Sequence, residues 1–182
     1  MYLVSAYFDE STNKKINRYI EKIAEKTGNT FMIDNHVPPH MTISSVEARS
    51  GERLLPYVEQ LETKLFQGSI QFVAVGTFFP YVMYLSTVLN AYLQEMEEEI
   101  YCSVCNVPEV SVSRFYQPMQ WLPHITLGKK LTKEQMRIAF EVMQEVFVPF
   151  EGKVTAIGLA KTNPHEDILR IKLKETERKI HE

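Results

Sequence analysis

The chain has 182 residues, enough for one domain with a real core or for one domain built of two lobes. Hydrophobic residues make up 45% and charged residues 24%, the balance of a soluble globular protein. A formal net charge of -3 and a pI near 6.0 count against a surface that grips long nucleic acid through many phosphates, and leave room for a small phosphate ester or an RNA end.

Residues 2–8 are β-rich and have no basic leader before them. Ser11 or Thr12 is placed to cap a helix whose apolar stripe is Ile16, Tyr19, Ile20 and Ile23, with Gly28 at its end. A polar loop with His36, Pro38 and Pro39 leads to a strand beginning at His40. A second helix is expected to about residue 66, with Leu54, Leu55, Val58, Leu61 and Leu65 inward and Pro56 marking its start or a kink. Strands over 69–79 and 81–87 are divided by Pro80, the first alternating Ile70, Phe72 and Ala74 with Gln71, Val73 and Val75.

A third helix carries Leu89, Tyr92, Leu93, Met96 and Ile100 on one side, and the acids Glu97, Glu98 and Glu99 read as its solvated face. It closes on Cys102 and Cys105. Their C-x-x-C spacing lacks the second pair that a zinc site needs and the helix start that a redox motif needs, so both are expected as buried or half-buried thiols. Strands over 109–116 and 121–128 precede a capping box, Thr132 to Gln135, whose helix presents Met136, Phe140, Met143 and Phe147. A closing hairpin over 152–160 and 168–173 is expected around a turn at 163–167, followed by a charged tail from Lys174.

Strands and helices alternate, yet the short turns call for antiparallel pairing, which is the α+β class. No linker divides the chain, so residues 1–182 are expected as a single bilobal domain. No run is long enough to cross a bilayer, and two cysteines cannot supply a disulfide framework, which points to a cytoplasmic protein without a membrane partner. A monomer is expected.

The chemistry lies in a repeated phrase: Pro39-His40-Met41-Thr42-Ile43 and Pro123-His124-Ile125-Thr126-Leu127. In a strand His40 and Thr42 share one face, as do His124 and Thr126, about 7 Å apart, while the apolar residues turn to the core. Two such pairs across a groove surround a phosphate with two acid/base groups and two hydroxyl donors. Histidine suits both proton transfers because its unperturbed pKa is about 6.5. Threonine hydroxyls can steady charge building on the non-bridging oxygens, and no metal is required.

These residues resemble the paired H-x-T-h signatures of the 2H phosphoesterase superfamily, whose bacterial members include 2'-5' RNA ligase-like proteins and cyclic phosphodiesterases. The resemblance implies a bilobal, pseudo-twofold α+β fold of two mainly antiparallel sheets, with helices outside and a central groove holding both motifs. It implies opening of a 2',3'-cyclic phosphate on a nucleotide or RNA end, or 2'-5' RNA ligation, without cofactor or metal. His40 and His124 would then be the acid and the base, in an order left open, with Thr42 and Thr126 on the phosphate. Ligase-like relatives often carry a basic residue after the second motif, a place Lys129 can fill.

Trp121, the only tryptophan, is a candidate to stack on a base at the groove mouth or else to fill the core. Tyr7 and Phe79 are candidate groove aromatics on neighbouring strands. His36, His165 and His181 read as bystanders. Two other classes compete: a nucleotide- or RNA-binding module with little turnover, and a metal hydrolase using His36, His40 and His124. Duplicated threonines and the missing carboxylate weigh against the last.

Overall fold

A computed structural model of the chain describes residues 1–162 and 166–175. Residues 163–165 of the turn expected at 163–167, with His165, and the tail from 176, with His181, lie outside the described residues, while Glu166 and Asp167 belong to a strand. In chain order the elements are β1 (Tyr2–Phe8), α1 (Glu10–Thr27), α2 (Phe31–Asp34), β2 (Met41–Glu47), α3 (Leu55–Glu59), β3 (Gly68–Phe78), β4 (Val82–Thr87), α4 (Ala91–Cys105), β5 (Ser111–Val112), β6 (His124–Gly128), α5 (Lys133–Val146), β7 (Phe150–Lys161) and β8 (Glu166–Lys172). Among the described residues all seven strand pairings are antiparallel, so the α+β class holds.

Where two sheets were expected, the strands join into one, in the order β5-β2-β1-β7-β3-β4-β6 with β8 also on β7. The join is β7. Its residues 150–154 pair with β3 and its residues 154–161 with β1, so a single 12-residue strand serves both halves and leaves no open edge between them. The halves curl toward each other, and β2 touches β6 although they are far apart in the strand order. On the convex side α1 and α5 pack together over β4 and β6, while α4, with α3 beside it, covers β2 and β5.

Local departures from the sequence reading have physical causes. Asp9, rather than Ser11 or Thr12, caps α1, accepting from the Thr12 N–H at 3.3 Å, because Phe8 ends the strand and the first extended residue takes the cap. Gly28, at φ 69, closes the helix as expected. The second helix shrinks to α3 between two 3₁₀ turns, yet Leu54, Val58, Leu61 and Leu65 are all buried. The strand over 109–116 reduces to β5 and a 3₁₀ turn at Arg114–Tyr116. β6 starts only at His124, after Pro123, which has no N–H to give to a ladder.

A bulge between Phe72 and Ala74 shifts the alternation of β3. Ile70 and Phe72 face the core, but Ala74 is exposed, and Val75 and Thr77 now pair with the buried Leu85 and Met83. Phe78 therefore turns to the concave face. The capping box at Thr132 forms as read.

Two expectations for α4 fail together. Its buried stripe is Leu93, Met96, Glu97, Ile100 and Val104, which leaves Cys102 and Cys105 exposed rather than buried. Glu97 is 2% exposed instead of solvated, and its Oε1 has no hydrogen-bond partner among the described residues. Burial, aided by the Glu98 charge, pushes its carboxyl up to about 7. A raised acid pKa means that the folded chain holds a proton the unfolded chain has already lost. Stability should therefore fall as pH rises from the ordinary carboxylate range to about 7, then level off. Denaturation midpoints across that window should show the fall in wild type and lose most of it in Glu97→Gln; equal pH dependence in both would rule out Glu97 as the source.

Candidate active site

His40 stands immediately before β2, and His124 opens β6. Met41, Ile43, Ile125 and Leu127 are buried in the core, so the alternation leaves each His-x-Thr pair on the concave face. Both imidazoles make the same local bond. His40 Nδ1 lies 2.9 Å from the Pro38 carbonyl and His124 Nδ1 lies 2.8 Å from the Leu122 carbonyl, in each case two residues back across a proline. A carbonyl only accepts, so the neutral ring carries its proton on Nδ1 and its basic lone pair on Nε2. The repeat thus copies an orientation as well as two residue types.

The curl of the sheet brings the pairs together. A cavity of about 250 Å³ is lined by His40, Thr42, His124, Thr126, Lys129 and Tyr116 among others. A neighbouring cavity of about 460 Å³ shares His124, Thr126, Lys129 and Tyr116 and adds Phe78, Phe115 and Trp121. His124 is packed edge-on to Phe78, with ring centroids 4.8 Å apart, and to Tyr84 at 5.4 Å. Burial holds its pKa below the usual histidine value, with the Leu122 hydrogen bond pulling the other way. Among the described residues, no three His, Cys, Asp or Glu side chains gather as a metal site requires.

The other sequence candidates land differently. Trp121 is buried in the core, and its Nε1 donates to the Thr42 carbonyl at 3.0 Å, tying the approach to the second motif onto the first. Lys129 is exposed and reaches both cavities, whereas Lys130 folds back over the Phe31 ring at 4.6 Å. Tyr7 is buried with its ring 6.2 Å from that of His40, but it lines neither cavity. Phe79 is not brought to the motifs: it is 83% exposed and lines a separate cleft together with Phe140 of α5. The β3 bulge gives the place beside His124 to Phe78 instead.

Residues 13–166 match the model of the 2'-5' RNA ligase superfamily. The chain belongs to this family. Membership places it among phosphoesterase and RNA-ligase-like proteins. The protein TT0787 of Thermus thermophilus shares the fold over 97% of this chain and 99% of its own, at 13% identity and a TM-score of 0.58. The structure of E. coli LigT complexed with 3'-AMP does so over 96% of this chain and 98% of its own, at 12% identity and a TM-score of 0.60. No curated protein sequence matches.

Within this superfamily chain, sequence reasoning missed Tyr116, Phe115 and Phe31. Arg114-Phe115-Tyr116 has the look of a strand, and only its tightening into a 3₁₀ turn brings both rings to the cavity wall. Phe31 arrives on α2, a four-residue helix inside what reads as a polar loop. Among the described residues, no helix is long and apolar enough to cross a membrane.

Proposed function

We propose that this chain opens 2',3'-cyclic phosphates, on a nucleotide or at an RNA end, by metal-independent acid/base catalysis between His40 and His124. The observation that carries the reading is that two imidazoles, each tied to a carbonyl at Nδ1, line one cavity with two threonine hydroxyls. Burial favours the neutral form of His124, which suits it to be the base. Its Nε2 removes a proton from water as the oxygen attacks phosphorus. The bond from phosphorus to the 3'-oxygen breaks, and His40, entering as imidazolium, gives that oxygen a proton. The product is a 2'-phosphate.

Thr42 and Thr126 donate to the non-bridging oxygens, and Lys129 offsets the charge that builds there. Trp121 is a positioning residue acting through the Thr42 backbone, and Tyr7 packs beside His40. The E. coli protein of this fold was crystallised with 3'-AMP, and nucleotide recognition is carried over here as part of the proposal. The family description supports 2'-5' ligation as a second use of the same groups, with a 5'-hydroxyl in place of water.

The test is the pH profile of kcat/KM on a nucleoside 2',3'-cyclic phosphate. It should be bell-shaped, since one histidine must be neutral while the other is charged. The acid limb, on which His124 loses its proton, should fall below the ordinary histidine range. Phe78→Ala unpacks the ring and should move that limb upward. An acid limb in the ordinary range, unmoved by Phe78→Ala, would give the base role to His40.

A further inference from the structure

The ladder places one more cation on the concave face. Thr42 pairs with Ser5, Ser5 with Gly158, and Gly158 with Arg170, so these four side-chain positions form a row across β2, β1, β7 and β8. Directly paired residues point to the same side of a sheet, and Thr42 opens on the motif cavity, so Arg170 rises from that same face. Gly158 leaves its place in the row empty. A Cβ there would come within 3.0 Å of the Tyr7 ring and 2.6 Å of the Leu169 carbonyl, so glycine lets the Tyr7 ring, on which the arginine lies, pack close to this stretch.

The guanidinium lies over the Tyr7 ring, 3.4 Å from its centroid, and the Tyr7 ring is 6.2 Å from that of His40. Stacking and an ion pair from Nη2 to Asp167 at 2.7 Å hold the planar group in place. Among the described residues Nη2 alone is engaged in a hydrogen bond, and the side chain is 38% exposed. The remaining donors of a pre-oriented fork suit a phosphate. Tyr7 serves as the platform: its hydroxyl is buried without a hydrogen-bond partner among the described residues, and burial pushes it up to about 12, so the ring stays neutral beneath the cation.

We propose that Arg170 binds a second phosphoryl group of the substrate, the 5'-phosphate of the nucleotide whose cyclic phosphate sits between His40 and His124. This inference rests on the proposed function. One ribose separates those two phosphates, and one ring, Tyr7, lies between the imidazole and the guanidinium, at 6.2 Å from the first and 3.4 Å from the second. Arg170 thereby makes the site selective for 5'-phosphorylated ends over nucleoside cyclic phosphates. A diester within an RNA strand and a terminal monoester offer the same chemistry.

Three probes test it: adenosine 2',3'-cyclic phosphate, its 5'-phosphorylated form, and a dinucleotide ending in the cyclic phosphate. Wild type should prefer the 5'-phosphorylated form in kcat/KM by roughly 10- to 100-fold, the worth of one charge-assisted contact. Arg170→Ala should bring that ratio close to one. Arg170→Lys, which keeps the charge without the stack, should retain part of it. A dinucleotide handled as well as the monoester identifies an RNA strand as the source, and a preference confined to the monoester identifies a free nucleotide. If Arg170 only braced Tyr7 and His40, the variant would slow both mononucleotides equally and keep the ratio, and that result would overturn the inference. So would a wild-type ratio of one. No turnover of any probe by wild type would instead overturn the proposed function, and this inference with it.

Discussion

His40→Ala and His124→Ala should each lower kcat for cyclic-phosphate opening by about 10²–10⁴-fold, because each removes one of two proton transfers made in the same transition state. Both rings stand on the concave face with their neighbours Met41 and Ile125 holding the core, so the far-ultraviolet circular dichroism of each variant should match wild type. The double variant should lose little beyond the worse single one, since neither transfer is useful without the other. Product formation measured under single-turnover conditions checks all three chains. Wild-type turnover in either single variant would rule out the two-histidine mechanism.

Trp121→Ala should have the largest effect on stability, about 3–5 kcal/mol, the usual cost of emptying a buried aromatic site. The ring is 8% exposed, within the core cluster, and its Nε1 donor holds the Thr42 carbonyl. Activity should fall along with stability, because the loss frees the segment before His124 from the first motif. Trp121→Phe separates the two roles. It keeps much of the packing and drops the donor, so it should cost about 1–3 kcal/mol and still lower kcat. Urea unfolding followed by circular dichroism gives the stabilities. A Trp121→Ala variant within about 0.5 kcal/mol of wild type would show that the ring does not join the segments.

The motif faces were legible because strand alternation is local. Met41 beside His40 and Ile125 beside His124 settle which side is core within three residues. What was not legible came from relations between strands. Nothing in residues 150–161 announces that one strand serves both halves, since pairing partners are not written in a strand's own pattern. Phe79 was misplaced for the same kind of reason: one bulged residue in β3 shifts every later side chain to the other face and brings Phe78 beside His124. Glu97 was misread because an acid run resembles a solvated stripe, although helical spacing sets Glu97 in line with Leu93, Ile100 and Val104. The alignment of Arg170 with Thr42 was invisible because it passes through three strand pairings.

In the proposed reaction the two His-x-Thr pairs act on one cyclic phosphate. The most direct measurement is the product formed when the purified protein is incubated with nucleoside 2',3'-cyclic phosphates and short RNAs bearing cyclic ends, resolved by phosphorus NMR. Wild type should convert them to the 2'-phosphate, and His40→Ala and His124→Ala should each lose that conversion. Cyclic phosphate recovered intact after long incubation, or opened to the 3'-phosphate instead, would contradict it.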